Sequence, residues 1–299
     1  MRSTPNVSRS RFIEVHGLRY HLREWGTPGA PQLFMLHGWL DTSASFQFII
    51  DSLQRTWHVV APDWRGCGLS EWATGTNGYR FIDFLADLEV ILDRVKSDGA
   101  VNLVGHSMGA NVACHYAGVR PALVRRVVSL EGFGPLLRNG DEDPAQAPQR
   151  LARWLDELRV LRPFNRFATE GDVIDELRRL NPRLSEARAQ HLCAHWFQRS
   201  GEGDFRRLGD PAYKIREPGR YRPAEVNAVW AAVTAPVLHV GAHDIARSAS
   251  PAEAEEADRF RDRLSAFRDF REETIGEAGH MIHHDQPEKL AALIEAFCS

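Results

Sequence analysis

The sequence predicts an α/β protein with a doubly wound, mostly parallel sheet and a helical insertion. Two observations support this class. Short continuous apolar runs such as "QLFML" and "VNLVG" alternate with segments of helical periodicity, and the middle of the chain carries helical patterns without a convincing strand. Strands that are apolar throughout suit a sheet covered on both faces. The alternation therefore predicts parallel strands joined by helical crossovers.

The first third of the chain predicts a hairpin, two buried strands and one helix. "FIEVHGLRYHLREWG" alternates around His16-Gly17, as expected for two strands joined by a tight turn. "QLFML" and residues 57–61 are the buried strands, and a glycine-rich loop, "DWRGCGLS", follows the second. Residues 81–95 repeat apolar side chains at i, i+3, i+4 and i+7, which predicts an amphipathic helix.

The remaining elements continue the alternation. "VNLVG" predicts a strand, residues 108–119 a helix, and "VRRVVSLEG" the sixth strand. Toward the C-terminus, "APVLHVGAHD" and "FREETIG" predict strands, residues 252–266 a helix, and Pro287 the start of the last helix. The expected division is a core formed by residues 1–134 and 226–299, with residues 135–225 as the helical insert.

Composition excludes several classes of protein. The chain has 299 residues and a formal net charge of −3, so neither sign of charge dominates and no nucleic acid or membrane partner is implied. No apolar stretch approaches the roughly 20 residues of a transmembrane helix. The N-terminal "MRSTPNVSRSRF" lacks the apolar region of a secretory signal, and the four cysteines form no CxxC pair. We expect a cytoplasmic protein without a metal site, and the oligomeric state stays open.

One segment cannot be explained by helix or strand propensity. In "VNLVGHSMGANVACHYAG", the serine at 107 lies between a strand and a helix and is flanked by Gly105 and Gly109, which is the nucleophile elbow pattern. The glycines lack Cβ atoms, so strand and helix can approach closely. The Met108 N–H would lie at the helix N-terminus, where it suits an oxyanion, and the Trp39 N–H after an earlier strand is the second predicted donor.

The other members of a catalytic triad are predicted from chain order. Asp244 follows the strand "PVLHVGAHD" and His280 precedes the last helix, which gives the order serine, aspartate, histidine. Glu131 ends the sixth strand and is the alternative acid. His283 and His284 are the rivals of His280, and their place beside a helix start predicts surface or capping roles. His37 and His106 are interpreted as structural.

These motifs resemble those of the α/β-hydrolase superfamily. "HGW", "DWRGCGLS", "GHSMG", "GAHD" and "GHMIHHDQPEKL" carry the resemblance, which covers residues 11–134 and 226–299. The resemblance implies that residues 135–225 form a cap or lid over the site. Three aromatic residues of the insert are candidate pocket residues: Trp154, Phe164 and Trp196. The elbow residue is serine, whereas epoxide hydrolases and haloalkane dehalogenases of this superfamily carry aspartate there.

The predicted function is hydrolysis of a small or medium carboxylic ester through an acyl-enzyme intermediate, with Ser107 as nucleophile and His280 as base. This chemistry requires no cofactor, and the expected partner is a small-molecule ester. A carbon–carbon bond hydrolase or a lactonase with the same triad is the alternative, favoured by an arginine that could hold a substrate carboxylate in the cap pocket. A ligand-binding receptor without catalysis is the alternative from another class.

Overall fold

A computed structural model describes residues 6–73, 75, 77–133, 144–219, 222–242 and 263–299. Its strands, numbered in chain order, are β1 (Arg9–Val15), β2 (Leu18–Gly26), β3 (Gln32–Leu36), β4 (His58–Pro62), β5 (Val101–His106), β6 (Val124–Leu130), β7 (Arg166–Phe167), β8 (Phe197–Arg199), β9 (Phe205–Arg207), β10 (Val237–Ala242) and β11 (Phe270–Ile275). Eight of them form one sheet in the order β1-β2-β4-β3-β5-β6-β10-β11. Strand β2 pairs antiparallel with β1 and β4, and the other neighbours are parallel.

Helices cover both faces of this sheet, as the apolar strands predict. The described helices are α1 (Gln47–Ile50), α2 (Phe81–Val95), α3 (Met108–Val119), α4 (Ala147–Arg159), α5 (Glu170–Leu180), α6 (Glu186–Trp196), α7 (Pro223–Ala231), α8 (Ile282–Asp285) and α9 (Pro287–Cys298). One core cluster joins the sheet to α2, α3 and α7, and a second joins it to α1 and α9. The predicted doubly wound α/β class is therefore confirmed. None of the described helices is long and apolar enough to span a membrane.

The predicted hairpin and two of the predicted helices occur at the expected residues. His16 and Gly17 both have positive φ, 49° and 77°, which is the geometry of the tight turn between β1 and β2. Helices α2 and α3 span the residues whose periodicity predicts them. The predicted helix over residues 252–266 lies mostly outside the described residues, which resume at residue 263.

The described part of the insert is not purely helical, and the sequence prediction was wrong on this point. Strands β7, β9 and β8 form a small antiparallel sheet beside α5 and α6. These strands have two or three residues each, too few to produce a readable alternation of apolar and polar side chains. The insert also has its own apolar cluster, in which Phe167 and Phe197 pack edge to face with ring centroids 5.7 Å apart.

The insert contacts the loops that follow β3 and β4. The Trp196 indole N–H donates to Ser45 Oγ at 3.2 Å, and the Gly68 N–H donates to the carbonyl of Leu208 at 2.9 Å. The Asp210 N–H donates in turn to the carbonyl of Gly66 at 2.8 Å. These bonds hold the end of α6 and the segment after β9 over the carboxyl edge of the sheet.

The two glycines of the elbow allow a close approach that no other residue permits. A Cβ at Gly109 would lie 2.1 Å from the carbonyl oxygen of Leu36. We expect Gly109→Ala to lower the free energy of unfolding by about 3 kcal/mol, because backbone cannot yield as a flexible side chain can. Urea unfolding measures the loss. Gly201→Ala is the control, since a Cβ at Gly201 meets no atom within 4 Å; equal transition midpoints for the two variants would contradict the prediction.

Candidate active site

Ser107 occupies a strained turn between β5 and α3. Its φ of 50° and ψ of −113° lie outside the regions that non-glycine residues favour. The turn is held by backbone hydrogen bonds: the Ser107 N–H donates to the carbonyl of Leu130, and the Ser107 carbonyl accepts from the N–H groups of Ala110 and Asn111. This conformation points the Ser107 side chain into a cavity.

His280 lies in the loop between β11 and α8 and faces Ser107. Its Nε2 is 3.0 Å from Ser107 Oγ, a distance suited to proton transfer. His106 supports this loop, with its Nε2 2.7 Å from the carbonyl oxygen of His280. Burial, followed by the nearby His283 and His280, lowers the pKa of His106 well below its ordinary value. The neutral His106 ring therefore donates Nε2–H to that carbonyl and fixes the backbone that carries His280.

The carboxylate that reaches His280 in the described structure is Glu131, the alternative acid of the sequence analysis. Glu131 follows β6 with a positive φ of 48°, and its Oε2 lies 3.4 Å from His280 Nδ1. Its Oε1 accepts from the N–H of Ala242 at 2.5 Å. Asp244, the first choice, lies outside the described residues. The structure thus brings together Ser107, His280 and Glu131.

The two predicted oxyanion donors belong to backbone that faces the same cavity. Trp39 and Met108 both line it, and neither N–H has an acceptor among the residues that the structure describes. His37 holds the loop before Trp39, because its Nδ1 is 2.7 Å from the carbonyl oxygen of Gly38 and its Nε2 accepts from the N–H of Trp64 at 2.8 Å. Burial lowers the pKa of His37, so the ring is neutral and can fill both roles.

The cavity has a volume of about 470 Å³ and opens between the core and the insert. The core supplies the loop after β3, the elbow and the His280 loop, while the insert supplies Trp196 and Arg207. Of the three aromatic residues proposed from sequence, Trp196 lines this cavity, and Trp154 and Phe164 are not among its lining residues. Phe164 instead packs behind Arg207, with its ring centroid 6.0 Å from the guanidinium carbon.

Arg207 could not be singled out from the sequence. The insert contains many arginines, and nothing in the spacing of "DFRRLGD" distinguishes Arg207 from Arg206. The two arginines can be told apart only once β9 is known, because neighbouring side chains of a strand point to opposite faces. Arg206 pairs with Glu202 and Asp204, whereas Arg207 faces the cavity.

A cluster of possible metal ligands lies beneath the cavity. Single ligand atoms of Asp41, His106 and His283 all fall within 4.8 Å of one another, and all three residues are buried. Within it, Asp41 Oδ2 lies 3.4 Å from His283 Nε2. Burial raises the pKa of Asp41, but His283, His37 and the Ser45 hydroxyl outweigh burial and hold that pKa below its ordinary value.

His283 and His284 are buried, so the surface roles predicted from sequence were wrong. Both belong to α8, and their rings pack against each other and against aromatic residues of the core. The helix start lies under the insert rather than at the protein surface, where the sequence pattern alone would place it. Arg188 of α6 donates to the carbonyl of His284 at 2.7 Å, which shows how closely the insert covers this turn.

The buried ring of His284 predicts a loss of stability in acid. Burial, then His283, Arg188 and His191, lower the pKa of His284 well below its ordinary value, and its Nε2 has no partner within the described chain. Below about pH 6.5, His284 is therefore protonated in the unfolded chain but stays neutral in the folded chain. The free energy of unfolding consequently falls as the pH drops. We expect His284→Phe to reduce that slope by about 1.4 kcal/mol per pH unit below pH 6.

Urea unfolding at a series of pH values between 7 and 5 measures this slope. Phenylalanine keeps the ring contacts with Phe48 and Trp196, whose centroids lie 5.6 and 5.9 Å from that of His284. His16→Phe is the control, because His16 is exposed in the turn between β1 and β2. Parallel stability curves for the wild type and His284→Phe would contradict the prediction.

Comparison with known proteins identifies the family. The family model described as the alpha/beta hydrolase fold matches residues 31–287, so the chain belongs to the α/β-hydrolase-fold family. Within it, a serine hydrolase-like protein of Dictyostelium discoideum is 26% identical over 252 residues, which are 80% of this chain and 68% of that protein.

Two further similarities are shorter or more distant. A 3-hydroxybutyrate-oligomer hydrolase of Cupriavidus necator is 32% identical over 124 residues, which cover 41% of this chain and 41% of that enzyme. The thioesterase domain from the curacin biosynthetic pathway superposes with a TM-score of 0.82 at 24% identity, over 97% of this chain and 100% of that domain. At that identity the likeness shows the shared fold alone.

Proposed function

We propose that the protein is a serine hydrolase that cleaves a carboxylic ester. The observation that carries the proposal is the 3.0 Å approach of His280 Nε2 to Ser107 Oγ on a strained elbow at the bottom of a cavity. The names of relatives, a serine hydrolase-like protein and a 3-hydroxybutyrate-oligomer hydrolase among them, agree with hydrolysis. Neither name fixes the substrate of this chain.

In the proposed acylation step, Ser107 Oγ attacks the ester carbonyl carbon while His280 Nε2 takes the hydroxyl proton. Glu131 accepts the Nδ1–H of His280, which fixes the tautomer and stabilises the imidazolium. The negative charge on the former carbonyl oxygen is held by the N–H groups of Trp39 and Met108, each worth about 3 kcal/mol in the transition state. The tetrahedral intermediate then expels the alcohol, which receives the proton from His280.

Deacylation repeats these steps with water. His280 takes a proton from the water, hydroxide oxygen bonds to the acyl carbon, and Ser107 leaves with the proton returned by His280. All of the acid–base work is done by side chains of this chain. The proposed substrate is a small-molecule ester, and the proposed location is the cytoplasm. The proposal involves no nucleic acid or membrane partner.

Hydrolysis of a p-nitrophenyl ester series, from short to long acyl chains, tests the proposal. The cavity has a volume of about 470 Å³, so we expect short and medium chains to be preferred. Release of p-nitrophenolate is followed by its absorbance, with the alanine variant of Ser107 beside the wild type. Absence of turnover on every chain length would reject an ester hydrolase.

One observation favours a second candidate, a hydrolase of carbon–carbon bonds or lactones. Arg207 of the insert lines the cavity, where an arginine could hold a substrate carboxylate. Such an arginine is the feature that favours this alternative. The same triad serves either bond, so turnover of a carboxylated 1,3-diketone in place of an ester would select this candidate.

A further inference from the structure

Arg207 is a charged side chain placed in the apolar cavity of the candidate site. It ends β9, lines the cavity together with Ser107 and Trp196, and is only partly exposed. Its guanidinium carbon lies 5.0 Å from the ring centroid of Trp196 and 5.8 Å from that of Phe197. These aromatic rings fix the plane of the guanidinium and keep it from swinging out to solvent.

The guanidinium keeps hydrogen-bonding capacity that no described carboxylate uses. Its Nη2 donates to the carbonyl oxygen of Leu40, and it forms no ion pair with a carboxylate among the described residues. A guanidinium has five N–H donors, and most of them are left over. A largely buried guanidinium that no carboxylate contacts directly is costly, so its unused donors favour the binding of an anion.

Asp41, the carboxylate that lines the same cavity, is already occupied. Its Oδ1 accepts from the Thr42 N–H at 2.6 Å and from the Ser45 hydroxyl, and its Oδ2 faces His283 Nε2 at 3.4 Å. Asp41 is therefore held by His283 and these donors. Its charge acts on Arg207 at a distance, and no hydrogen bond or ion pair joins the two side chains among the described contacts, so the guanidinium donors stay available to a ligand. Burial lowers the pKa of Arg207, and arginine nevertheless stays charged at neutral pH.

We propose that Arg207 binds a carboxylate carried by the substrate, which makes the substrate a small ester with a free carboxyl group. The proposal rests on the proposed hydrolase function. A planar guanidinium matches a carboxylate in a bidentate geometry. Among the described residues that line the cavity, Arg207 is the one arginine and there is no lysine, so the cavity suits a monoanion better than a phosphate dianion.

The place of Arg207 also limits the length of the substrate. Its guanidinium bonds to the carbonyl of Leu40, the residue directly after Trp39, whose N–H is the proposed oxyanion donor. Two residues span at most roughly 7 Å, and Leu40 has a positive φ of 55° that shortens this span, so the bound carboxylate lies only a few bonds from the carbonyl that is attacked. A monoester of a short dicarboxylic acid has this separation.

Binding to the inactive Ser107→Ala variant tests the proposal without turnover. Trp39 and Trp196 line the cavity, so their fluorescence reports binding of monomethyl glutarate and of its uncharged analogue, dimethyl glutarate. We expect the monoanion to bind roughly ten to a hundred times more tightly. Equal dissociation constants for the two esters would overturn the proposal.

Variants of two adjacent arginines separate recognition from structure. In the Ser107→Ala background, Arg207→Gln keeps a polar amide without the charge and is expected to abolish the preference for the monoanion. Arg207→Lys keeps the positive charge but cannot bind a carboxylate in the bidentate geometry of a guanidinium, so it should retain part of that preference. This variant replaces Arg207→Gln in the test if the glutamine variant does not fold. Arg206→Gln, on the opposite face of β9, is the control and should keep the full preference.

Turnover by the enzyme with an intact serine distinguishes the two proposals. Hydrolysis of uncharged esters without any preference for the monoanion upholds the hydrolase and rejects the role of Arg207. A binding preference lost in Arg207→Gln, with no hydrolysis of any ester, upholds Arg207 and rejects the ester hydrolase. A preference that survives in Arg207→Gln places the anion elsewhere and rejects the proposal.

Discussion

Ser107→Ala is expected to lower ester turnover by on the order of 10⁶-fold, because Ser107 carries the one hydroxyl among the described residues that line the cavity. The Ser107 hydroxyl is the one lying 3.0 Å from His280 Nε2. Alanine tolerates the same backbone as serine, so the elbow should keep its geometry and the variant should stay folded. The comparison requires kcat/KM for one p-nitrophenyl ester with both proteins.

A second readout identifies the nucleophile directly. A sulfonyl fluoride should add its mass to the wild type and not to Ser107→Ala, since sulfonylation needs the activated hydroxyl. Ser129→Ala is the control: Ser129 is buried on β6, faces His239 at 3.3 Å and does not line the cavity. A Ser107→Ala variant that retained a tenth of the turnover would rule out the assignment of Ser107.

The strands and helices of the core could be predicted from the sequence because the patterns that indicate them are local. The β5–α3 junction combines an apolar strand, two glycines at close approach and a helix start, and each of these can be read within ten residues. Likewise, the periodicity of residues 81–95 depends only on neighbours along the chain. Such junctions predict the fold, because strands in a given chain order can be arranged into a sheet in only a few ways.

Side chains of the site that depend on long-range packing could not be predicted in the same way. His283 reads as a surface residue until α6 is seen to cover the turn that carries it. Arg207 became distinct from Arg206 only when β9 showed which face each occupies. For the same reason Trp196 was one of three equal candidates until the insert was placed over the cavity.

The choice of triad acid illustrates this limit, because the two candidates lie at the ends of neighbouring strands. Glu131 follows β6, Asp244 lies two residues beyond the end of β10, and these strands pair in parallel. Chain order alone favours Asp244. The contact between Glu131 Oε2 and His280 Nδ1, with Oε1 held by the Ala242 N–H, favours Glu131.

Glu131→Gln is therefore expected to lower kcat by on the order of 10⁴-fold, while Asp244→Asn should have a far smaller effect. Glutamine can keep the bond to the Ala242 N–H through its oxygen, but it then presents an NH₂ group to His280. That group favours the tautomer with a bare Nδ1, in which Nε2 carries the proton and cannot accept one from Ser107. Both substitutions are isosteric, so they form a matched pair.

Turnover of one p-nitrophenyl ester by the two variants decides between the acids. Both proteins should unfold near the wild-type urea concentration, because each substitution keeps the shape of the side chain that it replaces. A 10⁴-fold loss in Asp244→Asn with little loss in Glu131→Gln would return the role to Asp244, and Glu131 would then be a group that only orders the strand end. Comparable large losses in both would mean that the two carboxylates act on His280 together.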